Sequence, residues 1–180
     1  MWRLAEVRVD VSLLARLQRL VVVFLILLPT SAHAADEVMQ APDYAITQIR
    51  LTTANSSIPI SFRVKLAVTP SQHAYGLMFS PPLPAKSGML FLFEDMKPRT
   101  FWMKNTPIAL DMLFFDDSGM LVALISNAKP NTMTLRHSRV AAKYVLEIGG
   151  GEASRLNIKI GSRLHLPIVI TSDEPRSRKK

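Results

Sequence analysis

Hydrophobic and polar positions alternate most regularly in the middle of the chain. Ile58, Ile60, Phe62, Val64, Leu66 and Val68 are interleaved with Pro59, Ser61, Arg63, Lys65 and Ala67. A period of two sets one face of a strand against a core and the other toward water. Tyr44–Thr53 predicts a strand before it. After it, Thr69-Pro70-Ser71-Gln72 predicts a helix start, with a capping hydroxyl, proline at the first helical position and glutamine three residues on. That helix is expected to end near Gly76, with Leu77-Met78-Phe79 packing inward and Ser80–Pro84 forming a stiff connector.

Four apolar runs of strand length follow: Gly88–Phe93, Arg99–Met103, Ile108–Phe115 and Met120–Ser126. Turn chemistry separates them at Asp95–Pro98, Lys104–Pro107 and Asp116–Gly119, the last a strong hairpin signal. Asn127–Arg139 reads as polar and irregular, and Tyr144–Ile148 as a strand. Gly149-Gly150-Gly151 then precedes a short helix over Glu152–Leu156. A last strand has Leu164, Leu166, Ile168 and Ile170 alternating with Arg163, His165 and Val169. Many short strands with hairpin-length turns predict a mainly β fold, a compact sandwich or barrel-like sheet with two short helices.

The first 34 residues follow a different pattern. Met1–Arg19 is net basic, Leu20–Leu28 is an unbroken apolar run closed by Pro29, and Ala32 and Ala34 are small residues spaced for a peptidase. This order predicts a secretory signal cut after Ala34, and hence export to a bacterial periplasm or the extracellular space. The alternative, an uncleaved anchor, would need about 20 apolar residues, more than twice this run; no transmembrane span is expected after cleavage. The expected organisation is therefore a signal peptide (1–34), a lead-in and first strand (35–57), a single β-rich domain (58–171) and a basic flexible tail (172–180).

Composition narrows the function. Hydrophobic residues make up 48% and charged residues 20%, which is globular rather than disordered. There is no cysteine, so disulfides, thiolate metal sites and thiol nucleophiles are excluded together. After signal removal, 18 basic residues face 12 acidic ones, and four of the basic residues are Arg176, Arg178, Lys179 and Lys180 at the tail. The folded body is thus nearly balanced, and with few aromatics and no basic stripe a nucleic-acid partner is not expected. A monomer is expected.

Several blocks of the sequence belong together: Gly76-Leu77-Met78-Phe79, Ser87–Phe93, Phe101-Trp102-Met103-Lys104-Asn105-Thr106-Pro107-Ile108, Leu110-Asp111-Met112, Asn127-Ala128 with Pro130, and Tyr144-Val145-Leu146-Glu147. In these the chain resembles the bacterial and archaeal family called domain of unknown function 192, over about Ile58 to Pro167. The resemblance implies a small, mostly β fold, often exported, with no established substrate. Ser80 stands where many relatives have a basic residue, and Ser162 where Asp is usual.

Candidate chemistry centres on Arg99–Asp111. If Lys104–Pro107 turns a hairpin, Phe101 and Asp111 fall roughly opposite each other, with Lys104 and Asn105 at the tip. Asp111 interrupts a run that is apolar on both faces, and an unpaired buried carboxylate is costly, so it requires partners. Lys104, Asn105, the Trp102 indole and backbone amides are the candidates. Two readings stand: a ligand pocket with Trp102 as its wall, or a polar network that fixes strand register. Glu147 raises the same choice, its blander reading being an outward charge on a half-buried strand.

His73, His137 and His165 show no ligand spacing, and no metal or cofactor is expected. Met89, Met96, Met103, Met112 and Met120 could hold Cu(I), but methionine on core strands more often fills gaps. The expectation is therefore an exported binding or accessory domain for a small polar ligand or an envelope protein. The alternatives are a hydrolase or carbohydrate-active enzyme using Asp111 and Glu147, or a protein-interaction module.

Overall fold

The computed structural model describes residues 40–167. The expected signal segment, the basic tail, Ile168 and Ile170 lie outside them. Seven strands and two short helices follow in the order β1 (Ile46–Thr53), β2 (Ser56–Ala67), α1 (Pro70–Tyr75), β3 (Ser87–Phe101), β4 (Leu110–Phe115), β5 (Leu121–Ala128), β6 (Arg136–Gly149), α2 (Glu152–Arg155) and β7 (Arg163–His165). They build one sheet in the order β5-β4-β6-β3-β2-β1-β7.

All neighbours are antiparallel except β2 and β3. Parallel pairing requires a crossover, and α1 with the proline-rich segment after it supplies one. The sheet curls until its edges meet. Met120 bridges Arg163, the Leu121 amide donates to the Ser162 carbonyl at 2.8 Å, and the Leu164 amide donates to Gly119 at 2.7 Å.

Curling creates two cores. One draws side chains from all seven strands, including Leu51, Phe62, Leu90, Leu113, Leu121, Leu146 and Leu164, and fills the inside of the curl. The other lies on the outer face of β3, β4 and β6. It holds Met89, Phe91, Met112, Phe114 and Val145 beneath Leu77 and Met103. Central strands are therefore covered on both sides, which is why all six residues of β4 are buried.

Local signals appear as expected. Thr69 accepts from the Gln72 amide at 3.3 Å while Gln72 Oε1 accepts from the Thr69 amide at 3.0 Å, closing the capping box. Asp116–Gly119 turns the β4–β5 hairpin, with Gly119 at φ 79°. In β2, Phe62 and Val64 are buried, whereas Ile58 near its start and Val68 just past its end are exposed.

Three expectations require correction. First, β3 and β4 do not form a hairpin. β6 lies between them, Phe101 pairs with Arg136, and Asp111 pairs with Ile148. Second, Asp95–Pro98 is not a turn but an irregular stretch of one long strand. Arg99 holds it by donating Nε–H to the Ala142 carbonyl at 2.9 Å, pairing with Asp95 and lying over the Phe93 ring. Its partner β6 likewise begins at Arg136, inside a segment expected to be irregular. Third, Phe79 is 62% exposed, because its left-handed backbone (φ 58°) turns it away from Leu77 and Met78.

Candidate functional site

The two acids on central strands have opposite environments. Asp111 is fully buried, and its carboxylate is completely occupied by backbone donors. Oδ1 accepts from the Asn127 amide at 2.7 Å and the Gly151 amide at 3.0 Å, and Oδ2 from the Ala153 amide at 2.8 Å. The three glycines make this wrap sterically feasible. A Cβ at Gly150 would lie 2.6 Å from Asn127 Oδ1 and 2.8 Å from the Ala109 Cβ, and Gly151 has φ 81°. Asp111 thereby ties the end of β5 and the start of α2 to β4. Charge-assisted bonds of this kind are strong, and none comes from Trp102, Lys104 or Asn105.

Glu147 is also buried, with 4% of its surface exposed, but no described residue holds its carboxyl. It stands in the middle of the sheet, level with Met89 on β3 and Met112 on β4. These pairings put it on the outer face, opposite to Asp111. No hydrogen bond or ion pair among the described residues reaches its carboxyl, and burial alone pushes its pKa up to about 8. No buried polar atom among the described residues is both sealed and unpartnered, so this carboxyl opens into the space beside it.

That space is a cleft between the end of α1, β3 and the 102–110 loop, with Tyr75, Phe91, Phe101, Trp102 and Lys104 among its walls. It offers about 30 Å³, room for about two waters. Phe101 meets Phe91 edge-on at 5.2 Å. His73 also borders the cleft, but its Nε2–H donates to the Ala67 carbonyl at 3.0 Å. The Tyr44 hydroxyl donates to the Gly76 carbonyl at 3.2 Å. Its pKa is pushed up to about 12, mainly by burial and further by Tyr75 and the charge of Glu147.

At the mouth, Trp102 is 42% exposed, and the Lys104 ammonium lies 5.5 Å from its ring centre. Asn105 takes a left-handed backbone (φ 53°), and its carbonyl accepts from the Phe79 amide at 2.7 Å. Two left-handed residues thus fasten each other and leave the Phe79 ring on the surface. Such a backbone is uncommon for a bulky residue.

The fold therefore brings Trp102, Lys104 and Glu147 to one cleft, places Asn105 beside it as a backbone support, and keeps Asp111 apart. With Asp111 and Glu147 on opposite faces of the sheet, no sugar can lie between them, which removes the two-carboxylate mechanism. Met89, Met103 and Met112 are fully buried among apolar side chains.

The profile of one family, described as Uncharacterized ACR and known as DUF192, matches residues 50–166. The chain belongs to the DUF192 family. Among solved structures, it is similar to a Sinorhizobium meliloti 1021 protein provisionally described as a transcription regulator. The identity is 38% and the TM-score 0.67, over 70% of this chain and 97% of that one. It is also similar to a Novosphingobium aromaticivorans DSM 12444 protein of unknown function, with 34% identity and TM-score 0.64 over 71% and 96% of the two chains. No curated protein matches.

Two departures from the usual DUF192 pattern have readable environments. Ser162 is fully buried, and its hydroxyl accepts from the Lys159 amide at 3.2 Å, so an acceptor is retained where Asp is usual. Ser80 is half-buried, beside the prolines of the crossover. Sequence reasoning missed Tyr75 and Phe91 as walls of the cleft, because the helix and strand that carry them read only as local structure and core.

Proposed function

We propose that this DUF192 protein is an exported binding or accessory domain whose recognition site is the Glu147 cleft. One observation carries the reading: a buried carboxyl without a partner among the described residues opens into a cleft walled by aromatic rings. Burying an acid without compensation is unfavourable, and folding gains nothing from it that leucine would not supply. Groups of this kind concentrate at functional sites. The cleft's size suits a single small head group, with the remainder of a ligand resting on Trp102.

The proposal of export rests on the basic, apolar and small-residue order of the first 34 residues. Fractionation of expressing cells followed by N-terminal sequencing is expected to find a chain beginning at Ala35 outside the cytoplasm. An intact Met1 in the cytoplasm would remove this part of the reading.

The binding site is tested by a thermal-shift screen of the purified protein against amines, organic acids, sugars and nucleotides. At least one class is expected to raise Tm in the wild type and to leave the folded Glu147→Leu variant unchanged. Equal shifts in both would place binding elsewhere.

A further inference from the structure

We propose that the Glu147 cleft binds a primary alkylammonium group, the –CH2–NH3⁺ end of a small amine or of a lysine side chain. This rests on the cleft being the binding site, and it names the chemistry that the site selects.

The floor dictates the sign of the ligand. The Glu147 carboxyl has no hydrogen-bond or ion-pair partner among the described residues, and Lys104 borders the cleft without pairing with it, so a cation that the ligand brings would complete its ionised form. The walls agree, because Phe91, Phe101, Tyr75 and Trp102 border the same space and ring faces attract cations. The volume dictates the size. A narrow space of about 30 Å³ suits an ammonium with its first methylene better than a bulkier trimethylammonium head.

The mouth already holds one example of this chemistry, since the Lys104 ammonium lies 5.5 Å from the centre of the Trp102 ring. A ligand ammonium passing that indole meets the same surface before reaching the acid. Lys104 is a like charge at the entrance, so it weakens the binding of a cation and would strengthen that of an oxyanion. A metal ion is a poor alternative, because hard cations require six or more oxygen ligands and the cleft presents one carboxyl.

The pH dependence follows from the neighbours. Tyr44 from the lead-in, His73 and Tyr75 from α1, and Lys104 from the 102–110 loop are the titratable groups around Glu147. Its strand neighbours Met89 and Met112 do not titrate. Amine binding therefore ionises Glu147 and releases about one proton below pH 8. Affinity is expected to rise about tenfold per pH unit between pH 6 and 7.5.

The test is calorimetry on the purified protein with n-butylamine, Nα-acetyl-lysine methylamide, tetramethylammonium and acetate. It is run from pH 6 to 8 in buffers of different ionisation heat, which counts the protons. The proposal expects butylamine to bind with release of one proton, several-fold more tightly in Lys104→Gln, and not at all in Glu147→Gln. Stronger binding of the lysine derivative than of butylamine would assign the ammonium to a protein or peptide; the reverse would assign it to a free amine. Equal binding of tetramethylammonium would overturn the size argument. Acetate binding that weakens with pH and in Lys104→Gln would overturn the cation while leaving the cleft a binding site. Saturation by none of the four probes, together with a Glu147-independent thermal-shift screen, would overturn both readings.

Discussion

At the scale of single residues, two carboxyls one register position apart on paired strands serve different ends because their surroundings differ. Asp111 is neutralised by three backbone amides and belongs to the architecture. Replacing it by asparagine removes the charge and points an amide toward donors that need an acceptor. Asp111→Asn is expected to cost about 3 kcal/mol, measured by urea denaturation.

Glu147 predicts the opposite. The folded chain keeps its proton up to about pH 8, whereas the unfolded chain releases it near the ordinary value of 4.5. Between these values the folded state binds the extra proton, so stability falls as pH rises, by about 1.4 kcal/mol per unit from this group. Urea denaturation from pH 4 to 9 should show the wild type losing several kcal/mol relative to Glu147→Gln, with the two curves parallel outside that window. Parallel curves throughout would mean that Glu147 ionises normally and is not desolvated.

At the scale of elements, legibility followed the distance over which a signal acts. The capping box, the alternation in β2 and the Asp116–Gly119 hairpin depend on residues within a few positions, and each was readable. The unbroken course of β3 was not. Asp95–Pro98 has turn composition, and what overrides it is Arg99 reaching across to Ala142 and back to Asp95.

The insertion of β6 between β3 and β4 was equally hidden, because no local pattern records which strand a distant segment joins. That insertion decides the site, since it brings Glu147 from β6 beneath Trp102 and Lys104. Three of the five candidate residues line the cleft; their meeting was not deducible, only their chemical unease.

The close approach of β3 and β6 depends on Gly88, where a Cβ would stand 2.1 Å from the Glu147 carbonyl oxygen. Gly88→Ala is expected to force these strands apart and to cost about 3 kcal/mol or more. Denaturant midpoint and amine affinity should then fall together. Loss of stability with intact affinity would show that the Glu147 position tolerates movement of β6.

On the scale of the whole molecule, the two cores differ in how they are closed. The inner one is enclosed by the curled sheet, whose edges meet at Met120 and Arg163. The outer one is roofed by α1 and the segment after it. α1 buries none of its own residues, and the roof is fastened by Leu77, Met78 and a few polar ties. Those ties are Gln72 Nε2 to the Asp43 carbonyl at 2.7 Å, Tyr44 to Gly76, and Phe79 to Asn105.

Regions with few buried apolar contacts open locally at a lower free energy than the global core. Amides bonded within this roof, such as those of His73, Gly76 and Phe79, are expected to exchange hydrogen well before those of Leu90 and Leu146 in the central strands. The Glu147 cleft lies directly beneath this roof, beside the end of α1 and the 102–110 loop. Butylamine should therefore slow exchange in the roof and leave the barrel interior unchanged. Uniform exchange throughout would make the molecule a single cooperative unit, with a roof no looser than the central strands.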